Sequence, residues 1–531
     1  MKVVLISPQV TRPREFDHTR VRVSPFFPLG IAYLAAAITQ AGHDVLVRDY
    51  LINYFDEVGT PYGDSMVRYG ASDERIVEDL RDTRADVVGI SCLFSAQEFD
   101  ACVLCRLARE ALPEAFVVMG GAHAGVSSME LMGNIPELNG VILGEGEDST
   151  VELLSALAQG GDLSSVDGLV WRTEDGRVYR QEKTRYIETL DTLPMPARYL
   201  FDMDLYFEKG KGHNVPEAEP CAQIITSRGC PYRCAFCALR NHWGKRQRMR
   251  SAINVLEEIR FLVAKYGIRE IHFEDDNLTS DKRRALEIFW GMRDANWGLK
   301  WAAPTGLAVA TLDEELLIAM KESGCYSVSL GIESGDQEVL TKLMHKPVRL
   351  ERVPDVVRMA RECGLLVKGF FMLGYPGETK ETMRRTIDFA CSLDLDWSFF
   401  FIATPLPHTE MWETCVKKGY FDPSDFDPVT SLLKGQIHTP EFTPQEVEEL
   451  REEAIIECNF RNNPNLRKYD VQRAIKDFKS VLKIYPHFDF AHVALGEAYF
   501  RVGLIDRARA CWQEALKHNP DNNDALRLLN T

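Results

Sequence analysis

What this 531-residue chain lacks narrows its function early. No apolar run is long enough to span a bilayer, and the stretch Met1–Pro8 is too short and too soon broken to be a signal peptide, so it reads as a first strand. Basic residues are in deficit: a formal charge of −17 is at odds with an extended nucleic-acid footprint, though a small basic site remains compatible with it. Thirteen cysteines are spread too thinly for a disulfide framework and suit a reducing cytosol, so a cytoplasmic location is expected. No convincing nucleophile–base–acid triad is present. Length and composition leave room for about three globular domains.

The densest chemistry lies between Thr226 and Trp243, where Cys230, Cys234 and Cys237 form a C-x3-C-x2-C loop after a short apolar strand, Ala222 to Thr226. Three thiolates on one loop can hold three irons of a four-iron cube and leave the fourth iron open to a small molecule. Zinc, with His242 as fourth ligand, is the plain alternative.

From Met1 to about Gly160, strands (Lys2–Ser7, Asp44–Asp49, Asp86–Ser91, Ala115–Met119, Gly140–Leu143) alternate with helices (Leu29–Ala41, Gln97–Leu112, Asp148–Leu157). The pattern predicts a doubly wound parallel α/β sheet, which binds ligands beyond its strands' carboxyl ends. Gly120-Gly121-Ala122-His123 and Gly144-Glu145-Gly146-Glu147 are the turns expected there. Residues 161–220 read as a connector. It holds a hairpin (Asp167–Arg172 and Arg177–Arg180 around Glu174-Asp175-Gly176) and a proline-stiffened linker.

Six strand–helix units fill residues 221–440. Polar groups gather at the strand ends: Glu274-Asp275-Asp276-Asn277, Glu333-Ser334-Gly335, Gly374-Tyr375-Pro376-Gly377-Glu378 and Thr404-Pro405. This describes a partial (β/α)6 barrel with its site on the carboxyl face. Asp276 fits a solvated cap, Gly374–Glu378 a turn, and Arg248 with Arg250 either an anion clamp or an exposed basic turn.

With Gly229-Cys230-Pro231 and Phe236, the cysteine loop and the order of strand ends resemble the radical S-adenosylmethionine (SAM) enzymes, and the first segment resembles the cobalamin-binding domain that precedes many of them. The likeness covers roughly residues 1–440. It implies a [4Fe-4S] cluster on Cys230, Cys234 and Cys237, with SAM held by Phe236, Glu274, Asp275, Glu333 and Thr404. Cobalamin is implied at Ser91, Gly120, Gly121, His123, Gly144 and Glu145. The D-x-H-x-x-G motif that supplies a histidine below cobalt is missing: Asp17-His18 has the wrong spacing, and His123 suits a loop contact better. A degenerate first domain that binds nothing is the alternative.

Residues 441–531 begin with a capping box, Thr443-Pro444-Gln445-Glu446, and a helix running to about Phe460. From about residue 470, Ala474, Phe478 and Pro486 precede Ala508, Trp512 and Pro520 by 34 residues, the tetratricopeptide period. One and a half repeats are too few to stand alone. The segment is expected to dock on the barrel or on another chain, as a structural cap or a partner-binding groove.

The function implied is methylation of an unactivated carbon. The cluster cleaves SAM to a 5′-deoxyadenosyl radical, the radical takes a substrate hydrogen, and methylcobalamin supplies the methyl group. A radical oxidation, cyclisation or carbon–carbon coupling without methyl transfer is the runner-up, and a zinc-stabilised protein-binding scaffold the alternative of another class. The resemblance also implies a flavodoxin or ferredoxin as electron donor and a small-molecule, peptide or lipid substrate.

Overall fold

Five parallel strands build the first sheet, in the spatial order Asp44–Asp49, Lys2–Ser7, Val87–Ser91, Phe116–Gly120, Gly140–Ile142. In chain order this is 2-1-3-4-5, the doubly wound arrangement whose strand ends form a ligand crevice. A computed structural model describes the chain except residues 15–22, 24, 57–58, 211–215, 427–433 and 531. Asp17-His18 therefore lies outside the described residues. The strands are nearly continuous runs of Val, Ile and Leu because helices cover both faces.

The hairpin assigned to the connector belongs to this sheet instead. Leu169–Arg172 pairs antiparallel with Gly140–Ile142, and Val178–Arg180 follows at the edge. Hairpins satisfy their own turn and can cap an open parallel edge, which explains the recruitment. Sequence reading also passed over a helix, Asp73–Thr83, and a small antiparallel sheet of Val10–Pro13, Thr60–Tyr62 and Met66–Tyr69.

The linker after the hairpin is clamped by side chains. Arg198, 2% exposed, donates to the Gln223 carbonyl at 2.7 Å and to Glu258 at 3.1 Å, and Tyr206 donates to Asp49 at 2.6 Å.

Six parallel strands in sequential order form the open barrel: Cys221–Ile224, Glu270–Phe273, Lys300–Ala302, Cys325–Glu333, Leu366–Leu373 and Trp397–Ile402. Its helices begin where the sequence places polar caps: Ser251, Asp281, Asp313 and Thr379 each accept a hydrogen bond from the third residue beyond. Their apolar faces and the outer strand faces make one core around Trp301, Phe273, Phe289 and Phe371.

Six strands do not close a cylinder, so the sixth leaves an edge of unpaired backbone groups. The C-terminal segment covers it. The helix Pro444–Ile456 packs on the sixth strand, and Arg451 donates to the Phe400 carbonyl at 2.8 Å. Asn459, 2% exposed, accepts from the Ser398 N–H at 2.7 Å and donates to its carbonyl at 2.8 Å, as a neighbouring strand would. Cys391 and Cys458 form a disulfide across the same seam, leaving eleven free cysteines. Helices Val471–Ile484, Asp489–Arg501 and Ile505–His518 follow, and Trp397 of the sixth strand packs against their core, so the repeat segment docks on the barrel. Gly496 permits the crossing, since a Cβ there would stand 2.3 Å from the Trp512 indole nitrogen.

Asn459→Ala removes both partners of a buried edge strand and is expected to cost about 2–4 kcal/mol, read as a lower midpoint in urea denaturation.

Candidate functional site

The cysteine loop is held from three sides. Asp275, 1% exposed, accepts from the Thr226 N–H and from the hydroxyls of Thr226 (2.7 Å) and Ser227 (2.5 Å). Asp276 accepts from the Gly229 N–H at 3.2 Å, and Asn277 lies with its amide nitrogen 3.8 Å from the Cys230 sulfur, aimed as a donor. Further on, Ala235 donates to the Met344 carbonyl and accepts from the Met411 N–H, while Asn241 donates to the His408 carbonyl. The loop is thereby fixed to the end of the second strand and to the segments that follow the fourth and sixth. Asp275, expected against SAM, instead spends its oxygens on the turn before Cys230.

Glu333 ends the fourth strand at a register shift, with φ +72°, a left-handed conformation rare for a residue with a Cβ. Its carboxylate accepts from Lys346 at 2.9 Å, and the Lys346 ammonium lies 5.9 Å from the Phe236 ring centroid. Burial would lower the Lys346 pKa, but Glu333 holds it raised. Gly331 makes room: a Cβ there would approach the ammonium to 3.1 Å. Burial pushes the Cys234 and Cys237 thiols up to about 11 and about 12. Glu274 sits half-buried at the second strand's end, its N–H bonded to the Ile224 carbonyl. Thr404, half-buried, donates to the Ile402 carbonyl at 3.3 Å.

His242 sits beside Arg228, Glu145 and Glu147, where the first domain meets the barrel. Burial and Arg228 push its imidazole down to about 4, so it is neutral. Among the described residues, only Cys221, Glu270 and His272 bring three ligand atoms within 4.8 Å of one another. The Cys221 trio sits at the strands' amino ends, where Glu270 accepts from His272 and Tyr326, each at 2.8 Å.

The two domains meet at the loop. Helix Leu239–Trp243, just after Cys237, packs on helix Ala122–Val126, which opens beyond the Gly120-Gly121 turn. Arg228, 4% exposed, donates to Glu145 at 2.9 Å and Glu147 at 2.5 Å; Arg248 donates to both oxygens of Glu145 at 2.7 and 2.6 Å. Burial would raise the Glu147 pKa, but Arg228 holds it below the usual carboxylate range. Glu145, expected beside cobalamin, is therefore a domain tie. Arg248 belongs to the same network and Arg250 pairs with the buried Glu258, so neither is an anion clamp or an exposed turn. Gly144 lies in the seam, where a Cβ would come 3.1 Å from the His242 carbonyl.

At the sheet's crevice, half-buried Ser91 is in register with Gly120. A Cβ on Gly120 would meet nothing within 4 Å, and Leu93 and Phe94 beside it are 39% and 44% exposed. Gly121 has φ +120° and its added Cβ would strike the Cys92 carbonyl at 2.5 Å, so only glycine makes this turn. His123 is buried, bonded to Ser95 at 3.0 Å and to Glu98.

Family models match in the same three places: the radical SAM superfamily over residues 224–390, the B12 binding domain over 19–154, and a tetratricopeptide repeat over 466–530. The chain is 35% identical over 468 residues to the cytidylyl-2-hydroxyethylphosphonate methyltransferase of Streptomyces wedmorensis, covering 83% of this chain and 86% of that one. It belongs to the B12-binding radical SAM family. Another such relative, an uncharacterized methyltransferase of Pyrococcus horikoshii, is 32% identical over 491 residues, 91% of this chain and 99% of that one. The cobalamin-dependent SAM radical enzyme OxsB shares the fold, at a TM-score of 0.69 with 16% identity, over all of this chain and 80% of that one.

In this radical SAM chain, sequence reasoning missed Lys346, Asn277 and Arg228. Lys346 lies outside any strand-end motif, thirteen residues beyond Glu333. Asn277 and Arg228 stood inside quoted stretches, but their partners come from elsewhere in the fold.

Two outcomes follow. Glu145→Ala takes the carboxylate partner from buried Arg248 and leaves Arg228 with Glu147 alone, and is expected to cost about 3–5 kcal/mol in thermal unfolding. Glu378 is buried, accepts from the Tyr375 N–H at 2.8 Å, and burial pushes it up from 4.5 to about 8. A raised carboxyl pKa means that the folded form keeps its proton while the unfolded form loses it, so this group's contribution falls as pH rises from 4.5 to 8. The stability gained by Glu378→Gln should therefore widen across that window by up to about 1.4 kcal/mol per pH unit, measured by urea unfolding at a series of pH values.

Proposed function

We propose that this enzyme methylates an unactivated carbon of a small molecule, using a [4Fe-4S] cluster, SAM and cobalamin. The observation that carries this reading is the seam itself: the cysteine loop's trailing helix packs on the helix that leaves the Gly120-Gly121 turn, so one protein surface joins both cofactor regions.

The residues fit the groups required. Cys230, Cys234 and Cys237 would hold the cluster, on a loop anchored by Asp275, Asp276 and Ala235. The Glu333–Lys346 pair, half-buried beside Phe236, offers an anion to the amino group of SAM and a cation to its carboxylate. Glu274 and Thr404 would complete that pocket. The open space at Gly120 and the apolar ledge of Leu93 and Phe94 would take the flat corrin, with Ser91, Gly121 and Gly144 shaping the backbone around it. His123, already bonded to Ser95 and Glu98, would not ligate cobalt.

With these groups bound, the chemistry supplied is reductive SAM cleavage, hydrogen abstraction and methyl transfer. The protein's own work is positional. Asp275, Asp276 and Asn277 fix the loop, the Arg228 and Arg248 ion pairs fix the domains, and the barrel walls exclude water. A flavodoxin or ferredoxin would supply the electron, in the cytoplasm. No helix among the described residues is long and apolar enough to cross a membrane.

Anaerobic reconstitution should give about four irons per chain and SAM-dependent 5′-deoxyadenosine, with bound corrinoid visible in the absorption spectrum. Cys234→Ala should lose iron and 5′-deoxyadenosine together. Stoichiometric zinc without SAM turnover would refute the proposal.

A further inference from the structure

The barrel lumen has one wall of unusual composition. On the fifth and sixth strands, side chains alternate between two faces. Phe371 and Phe400 are stacked at 5.3 Å and buried in the core beneath the outer helices. The opposite face, which looks into the lumen, carries Phe370, Met372, Phe399 and Phe401, all half-buried except Phe401, which is 41% exposed. Register sets Phe370 beside Phe399 and Met372 beside Phe401.

The wall is ordered as well as apolar. The Phe399 and Phe401 rings lie within 16° of parallel with centroids 6.5 Å apart, and Phe370 stands edge-on to both at 62° and 72°. Gly306 brings the loop after the third strand against it: a Cβ there would come 3.2 Å from the Phe370 ring. The sixth strand runs directly into the loop that holds Asn241 through the His408 carbonyl, so the wall leads to the cysteine loop.

An exposed aromatic surface inside an enzyme's barrel needs an occupant of matching chemistry. These four side chains offer no hydrogen bond and no charge, and the cation at the mouth, Lys346, is paired with Glu333. What they offer is dispersion and ring–ring geometry, which favour offset or edge-on contact with another ring. We propose that the substrate presents a flat aromatic ring to Phe370, Phe399 and Phe401. This assignment of substrate class rests on the function proposed above and specifies it.

Two probes of equal carbon count test it: 2-naphthol, which is flat and aromatic, and decahydro-2-naphthol, which is puckered. Each is titrated anaerobically into the reconstituted full-length enzyme with SAM present, and heat of binding is followed. At least tenfold tighter binding of 2-naphthol is expected, and loss of that preference in Phe399→Ala. Phe401→Leu, at an exposed position that keeps its apolar bulk, should lose the preference too, which guards against a variant that merely misfolds. Equal affinities, or a preference untouched by either variant, would each overturn the proposal. SAM cleavage by the wild type is scored separately. Its failure counts against the radical reading, whereas the naphthol preference judges only the wall.

Discussion

A buried exchange of charge between the two α/β domains carries the arrangement of the site. Arg228 and Arg248 come from the segments flanking the cysteine loop, and Glu145 and Glu147 from one turn of the first domain. Charges taken out of water are costly unless paired, so separating the domains would leave four ionised groups seeking partners. Arg228 is two residues from Cys230, and the seam therefore dictates where the loop sits. Glycine at 144 lets the backbones approach closely enough for the pairs to form.

Around that fixed seam, the mouth of the barrel divides its labour. The cysteines, Glu333 and Lys346 gather polar and cluster-binding capacity at the ends of the early strands, while the last two strands carry rings. Nothing in the described site calls for a protein base or nucleophile, in keeping with a reaction whose difficult steps belong to cofactors. Among the described residues five non-glycines have positive φ; one is Glu333, whose carboxylate meets the lysine.

Much of this was legible in the sequence. The helices Ala252–Tyr266 and Lys282–Ala295 and the strand Leu366–Leu373 fall where periodicity and capping residues place them. The cysteine spacing needs no three-dimensional information to be noticed. What stayed hidden depends on long-range partners. Glu145 reads as a ligand-facing turn residue until Arg228, 83 positions later, is seen against it. Asp275 looks like a cofactor contact until Thr226 and Ser227 occupy it. The hairpin reads as a connector because sequence cannot say that the edge of Gly140–Ile142 is vacant. The disulfide between Cys391 and Cys458 is likewise invisible in thinly spread cysteines, since only packing brings the barrel helix and C-terminal segment together.

The amide that closes the barrel edge has a consequence for how the chain is made. Asn459 lies 61 residues beyond Ser398, the strand residue it pairs with. At synthesis rates of about 5–20 residues per second, that strand emerges roughly 3–12 seconds before its cover. For that interval the nascent barrel presents an aromatic strand with free backbone groups, the kind of surface that recruits wrong partners. The segment around Asn459 thus acts as a late-arriving lock on the ribosome-bound chain, and the barrel edge is closed only once the residues that cover it have been made.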